Sequence, residues 1–398
     1  MKSRSVGRLM AGAFLLWMSV YTYPSFLPAY ASSTLGAAPV MVGMISGSYG
    51  FTQMLLRLPL GVFSDVLRRR KPFLIGGMAA SLLSAVGLAL TKTPAGAILF
   101  RGLAGVAVST WVAHTALYSQ LFHPEDTHDA MGRLSAVQYG SQVAAMLLGG
   151  LLAQHIAPWS AFALGAVVAA AGLIVVSGIP EQPIAKSASP KDLLLVVKDR
   201  SLLLSTLLAT VYQFAAWGTI LGFTVNWASD VVGLGATALG FLSATFQLAN
   251  TVLSRFSGPV TRRFGQTRTL AAGFLACAVA SALYAFCFSP VPLFGAQALF
   301  GVGVGLLLPV TLTGSIRNIS PEKRGAAMGF YQSVYGAGMF LGPVLAGSIV
   351  KATGYRANFF AMSGILALGA LLSALLWRAT SNRSLKEDPN GPAPRSEV

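Results

Sequence analysis

Three arginines, Arg57, Arg101 and Arg255, stand inside long apolar stretches of this 398-residue chain, whereas all twelve of its acidic residues lie between stretches or at their ends. A guanidinium keeps its proton, so in apolar surroundings it needs an anion, a dipole or a route to water. Arg57 and Arg255 fall near the ends of their stretches, where the side-chain stem can carry the charge to the surface. Arg101 shows no partner in the sequence. Backbone carbonyls at the Tyr23-Pro24 interruption, or an anionic substrate, are the two ways to compensate it. His114, in the same stretch as Arg101, has the intrinsic range for proton exchange. With Asp65 it is the candidate proton site, although hydrogen-bonded packing is the commoner role of such a histidine.

A second group of side chains in these stretches is aromatic, amide or hydroxyl. Trp17 and Tyr21 are four residues apart, as are Gln138 and Gln142, so each pair shares one helix face. Ser48, Tyr49 and Gln53 lie on another stretch. Tyr212, Gln213 and Trp217 fall together, as do Gln247 with Asn250, and Tyr331 and Gln332 with Tyr335. Hydrocarbon tolerates such groups poorly, so they should face protein or a cavity. Each alone serves equally well to join two helices. As a group, with Arg101, they form the expected substrate site, suited to a small amphipathic organic molecule.

The elements that must hold these residues follow from composition. Hydrophobic residues make up 54% of the chain and charged ones 10%, with a mean hydropathy of +0.66. A soluble domain carries about 25% charged residues, so this is an integral membrane protein. A span needs roughly 20 apolar residues. Twelve windows qualify, at about residues 9–30, 40–63, 73–91, 95–118, 132–154, 158–178, 202–226, 237–257, 269–288, 292–314, 327–349 and 357–377. The net charge of +16 is not a nucleic-acid footprint, because the basic residues collect in alternate gaps. Termini and even-numbered gaps hold 22 of them and odd-numbered gaps only Lys92, Lys351 and Arg356, which predicts that both termini are cytoplasmic. Cys277 and Cys287 read as small buried or lipid-facing residues rather than a disulfide.

The chain also repeats itself. Gly61-Val62-Phe63-Ser64-Asp65-Val66-Leu67-Arg68-Arg69-Arg70-Lys71 has a weaker copy at Gly258 to Arg268, 197 residues on. The same offset carries Pro124-Glu125 onto Pro321-Glu322, Ala130-Met131-Gly132 onto Ala327-Met328-Gly329, and Gly150 onto Gly347. The expected fold is therefore all-α, with twelve transmembrane helices in two six-helix repeats. Residues 1–178 and 201–378 form the bundles, 179–200 a polar cytoplasmic linker with a short surface helix within 192–198, and 379–398 a disordered cytoplasmic tail.

This arrangement resembles the major facilitator superfamily, whose loop motif reads roughly G-x-x-x-D-R-x-G-R-R/K. Gly61, Asp65, Arg69 and Arg70 match it, while Val66 and Arg68 stand where Arg and Gly are usual. The second copy keeps Gly258, Arg263, Gly265 and Arg268, with Arg262 in place of the acid. The resemblance implies a conformational latch at Gly61, Asp65, Arg69, Arg70, Gly258 and Arg263, with Asp65 accepting from a helix N-terminus or an arginine. Arg101-Gly102-Leu103-Ala104-Gly105 resembles the family's second motif. Gly338, Gly342, Pro343 and Gly347 resemble its antiporter motif, here in the eleventh span instead of the usual fifth, which has only Gly149-Gly150. The set is similar to the twelve-helix drug/proton antiporter branch.

The expected function is secondary active transport by alternating access, with efflux of small amphipathic organic compounds in exchange for protons. Members of that branch commonly carry a carboxylate deep in the N-terminal half, and this chain has none there. That absence and Arg101 keep open an importer or facilitator of an anionic metabolite, and lipid flipping is a third use of the fold. A membrane receptor or sensor has no appended domain to support it. An enzyme is not expected, for the chain has neither H-E-x-x-H, nor an intrahelical G-x-S-x-G, nor a deep Asp pair, nor a nucleotide-binding loop. The expected partners are a small-molecule substrate, protons and the lipid bilayer, without cofactor, metal or nucleic acid. A monomer in the cytoplasmic membrane of a bacterium completes the expectation.

Overall fold

The computed structural model describes residues 2–123, 126–180, 196–320 and 323–387, and these are almost entirely helical. In chain order the helices are α1 (Lys2–Tyr21), α2 (Leu27–Ser33), α3 (Pro39–Val66), α4 (Lys71–Leu90), α5 (Pro94–Ser109), α6 (Trp111–Ser119), α7 (Thr127–His155) and α8 (Pro158–Ser177). After the central linker come α9 (Arg200–Gly218), a π-helical turn (Thr219–Phe223), α10 (Thr224–Asp230), α11 (Ala236–Phe264), α12 (Gln266–Tyr284), α13 (Pro290–Ile316), α14 (Arg324–Thr353) and α15 (Tyr355–Glu387). Proline in the first turn starts α4, α5, α8 and α13, where its missing N–H costs nothing. Asp199 caps α9 by accepting from the Leu202 N–H at 2.7 Å.

Ten of these segments are long and apolar enough to cross a membrane. The other two expected spans, on α1 and α3, are 20 and 28 residues long and pack in the same bundle. The interruption expected at Tyr23-Pro24 is present: the chain leaves α-geometry at Thr22–Phe26, where Pro24 supplies no N–H, and resumes as α2. Two expectations need correction. The seventh span is not one α-helix, being interrupted by the π-turn at Thr219–Phe223. The last helix continues to Glu387, past the expected end at residue 378, so the start of the expected disordered tail is helical. Residues 388–398 and most of the linker, 181–195, lie outside the described residues, and with them most of the surface helix expected within 192–198.

The 197-residue repeat is visible in three dimensions. The break at Thr22–Phe26 maps onto the π-turn at Thr219–Phe223, and α2 maps residue for residue onto α10. Both are seven-residue tips at the end of the bundle away from the termini, which we call the far end. The halves meet along α3 with α14 and α7 with α11, and these two seams obey the same offset. A methyl group added at Gly240 would lie 2.6 Å from the Met146 carbonyl oxygen, and one at Gly43 would run into the carbonyl of Pro343. Likewise Gly150 abuts the Ala236 carbonyl and Gly347 that of Pro39. Helices in lipid gain little from apolar burial, so close approach of this kind is what holds them. At the far end the α11 N-terminus is capped from the opposite half, with the Thr237 N–H donating to Gln154 Oε1 at 2.7 Å.

The basic loops share a positive φ at one equivalent position, although the first comprises residues 67–70 and the second Gly265 alone. Arg68 has φ of 49°, the one non-glycine residue with positive φ among those described, and its equivalent Gly265 has φ of 79°. A left-handed conformation costs a side-chain-bearing residue about 1–2 kcal/mol, which explains why the motif has glycine at this point. Gly265→Ala should therefore lower the thermal midpoint of the purified protein, by a loss on the order of 1 kcal/mol. Arg68→Gly should be neutral or stabilising. Equal destabilisation by both would contradict the assigned loop geometry.

Candidate functional site

Arg101 is carried on α5 and is 3% exposed. The small residues that follow it set its position. Gly105 lies against Thr52 and the Tyr49 carbonyl, leaving no room for a side chain, and Thr52 Oγ1 donates to the Gly102 carbonyl at 2.8 Å. α5 is thus held flush on α3, and the guanidinium carbon sits 4.3 Å above the Tyr49 ring. On another side the ring of Tyr23 is 5.5 Å away, and the Tyr23 hydroxyl is fixed 3.1 Å from Ser84 Oγ on α4. Tyr49 in turn stacks on Trp217 of α9 at 5.2 Å and 18°. An arginine, a tyrosine and a tryptophan therefore bridge the two halves in one pile. A cavity lined by Pro24, Leu27, Pro28, Ser46, Arg101 and Trp217 opens beside it. Carbonyls at the Tyr23-Pro24 break do not compensate the guanidinium; aromatic faces do so in part, and Nη1 is left without a hydrogen-bond partner.

Arg57 departs from expectation. Instead of reaching to the surface it is 5% exposed and donates from Nη1 to the Tyr335 hydroxyl of α14 at 3.0 Å, across the halves. Its Nε has no partner. Tyr49, Gln53 and Arg57 follow at four-residue intervals on one buried face of α3. With Arg101 over the Tyr49 ring and Arg57 about two turns along the same helix face, the two cations border one polar centre. Arg255 is exposed.

The remaining expected site residues divide. Trp17, Gln142, Tyr212, Gln247, Asn250 and Tyr331 are buried, while Tyr21, Gln138, Gln213 and Gln332 are partly exposed. Gln53 donates back to the Tyr49 carbonyl at 3.4 Å, and Asn250 accepts from Ser254 at 3.4 Å. Tyr331 stands 5.2 Å from Tyr335 with its hydroxyl 2.8 Å from Thr311. His114 stacks on Trp111 at 5.1 Å and donates from Nε2 to the Leu9 carbonyl at 2.9 Å, the geometry of a packing residue. In the latch region Gly258, Arg69 and Arg263 are exposed and Arg70 is buried. Gly61 faces Val112 of its own half, and the Asp65 side chain lies outside the described residues. Gly338 and Gly342 let α14 touch α9 at Thr210 and Phe214, while Pro343 and Gly347 meet α3. The motif serves as a packing surface on two sides.

Sequence reasoning missed two contributors and misplaced a third. Tyr139 of α7 lies in electrostatic range of Tyr21 and Tyr335, and its place one turn before Gln142 could have marked it. Trp111 packs on Trp17 at 5.3 Å. Arg57 was noticed but given the wrong direction, since only the fold brings Tyr335 to it. Replacing Tyr335 by Phe removes the hydroxyl alone and leaves a buried guanidinium short of an acceptor, a loss of about 1.5–3 kcal/mol. Tyr335→Phe should lower the thermal midpoint clearly more than Tyr139→Phe, and equal midpoints would contradict the contact.

Comparison with known proteins agrees with this architecture. The inner membrane transport protein YajR of Escherichia coli (strain K12) is 27% identical over 94% of this chain and 81% of its own length. The multi-drug resistance efflux pump PmrA of Streptococcus pneumoniae is 26% identical over 92% of this chain and 94% of its own. The crystal structure of the nucleoside transporter NupG superposes with a TM-score of 0.76 at 17% identity, covering 94% of this chain and 99% of that one, which is a likeness of fold. The sequence pattern of the Major Facilitator Superfamily matches residues 9–235 and 206–397, and the chain belongs to that family of transporters.

Proposed function

We propose that this transporter exports small amphipathic organic compounds by alternating access, with the Arg101–Tyr49–Trp217 pile at its central site. The observation that carries the reading is the far-end closure above that site. The two equivalent tips meet there, Asn226 of α10 donating to Ser32 Oγ of α2 at 2.8 Å. Each tip begins at a point where regular helix is interrupted, so each can move without unwinding its span. Beneath the tips, polar and aromatic side chains from both halves converge, where transporters built from repeats place their substrates.

In this proposal residues 1–178 and 201–378 move as two bodies, both termini face the cytoplasm and the far end faces outward. Efflux is supported by the likeness to PmrA. The protein acts as a monomer in the cytoplasmic membrane of a bacterium. Proton exchange is the coupling that the antiporter-like motif suggests, with Asp65 and His114 as its candidates. Asp65 is the better one, since the ring nitrogen of His114 is engaged by Leu9.

A reversible crosslink tests the mechanism. Ser32→Cys with Asn226→Cys places two thiols where the tips touch, and the native Cys277 and Cys287 are both buried. In proteoliposomes given ethidium as a cationic probe and fluorescein as an anionic one, oxidation should stop transport of whichever is carried, and dithiothreitol should restore it. Undiminished transport by the oxidised protein, or transport of neither probe, would defeat the proposal.

A further inference from the structure

Resting on the central site just described, we propose that the substrate is an organic anion with an aromatic or apolar body, its charge held by Arg101 and Arg57. Arg101 lies over the Tyr49 ring, Arg57 stands about two turns beyond Tyr49 on the same buried face of α3, and no Asp or Glu is buried among the described residues. Asp65 follows Tyr49 by sixteen residues on one helix, about 24 Å along its axis, too far to neutralise Arg101. Aromatic faces lower the cost of burying a cation, but they leave its charge in place. The centre therefore lacks negative charge.

Hydrogen bonding points the same way. The buried atoms left without partners include Arg101 Nη1, Arg57 Nε and Trp17 Nε1, which can only donate, beside the two-way hydroxyl of Tyr212 and the acceptor Oδ1 atoms of Asn226 and Asn358. On the two arginines the unmet atoms are donors. A carboxylate, sulfonate or phosphate accepts without donating, whereas an ammonium would add a third cation and further unmatched donors. The cavity beside Arg101 is too small in this closed arrangement to enclose a substrate, but its walls indicate what kind of group would meet the guanidinium. Pro24, Leu27, Pro28 and Trp217 give it apolar walls around one guanidinium, which favours a body with little hydration over an inorganic ion. Tyr49 and Trp217 offer flat faces for a ring. An anion leaving an electrically negative interior also moves down the membrane potential, so its export does not require a protonatable carboxylate in the bundle.

The test uses three probes of one shape on the purified full-length protein: 2-naphthoate, 2-naphthamide and 2-naphthylmethylammonium, with affinities read by calorimetry. 2-Naphthoate should bind tightest, by about tenfold or more over the amide, a ranking read in the wild-type protein whatever the variants do. Arg101→Gln should abolish that preference, Arg101→Lys should keep part of it, and Arg57→Gln should weaken it. A tighter ammonium, equal affinities for all three, or a ranking unchanged in both glutamine variants would overturn the anion assignment. The central site itself would then survive only if Trp217→Ala weakened binding of every probe. Binding indifferent to Trp217→Ala, or no binding at all, would remove both the site and the assignment.

Discussion

Backbone resting on backbone at glycine is the contact on which the two halves depend. Side chains in hydrocarbon gain little by leaving lipid for protein, so association relies on many close dispersion contacts. Gly43 against Pro343 and Gly240 against Met146 are one contact made twice, as are Gly347 against Pro39 and Gly150 against Ala236. A seam of this kind is tight without interlocking side chains. It can close two bodies firmly and still let them part, which a jigsaw of large side chains would resist.

The same small residues determine where charge sits. Because Gly105 admits no side chain, α5 lies directly on α3 and Arg101 comes to rest on the Tyr49 ring instead of reaching water. Arg57 is held from the other half, by a hydroxyl on α14 that the α3–α14 seam brings within reach. Packing geometry and electrostatics are therefore not separate features of this protein. The seam that joins the halves also carries the buried cation Arg57, and any motion that opens the seam changes the surroundings of that cation.

The breaks at Thr22–Phe26 and Thr219–Phe223 show how far the repeat goes. Their sequences differ, one with a proline and one without, yet both interrupt the helix at the equivalent place and release a tip of the same length. The shared geometry follows from the shared position at the far end of the seam. Arg68 and Gly265 give the converse case, a positive φ kept at the equivalent position with an easy residue in one copy and a costly one in the other.

Membrane residence, helix content, the twofold repeat and the family were legible in the sequence, because each rests on what is local or summed: apolar run length, charge between runs, and motifs at one offset. Much of the centre was legible too, since a tyrosine or glutamine in hydrocarbon declares itself by type. What the sequence could not say is which of these meet. Arg57 looked like a residue that reaches the surface, and its partner lies 278 positions away. Tyr139 passed unremarked beside two glutamines. The π-turn within the seventh span and the stacking of Tyr49 on Trp217 depend on how the helices are placed against one another. Hydropathy is a property of a segment and survives any packing. A hydrogen bond or a stacked ring is a property of two distant segments, and it exists only once the fold has set the distance between them.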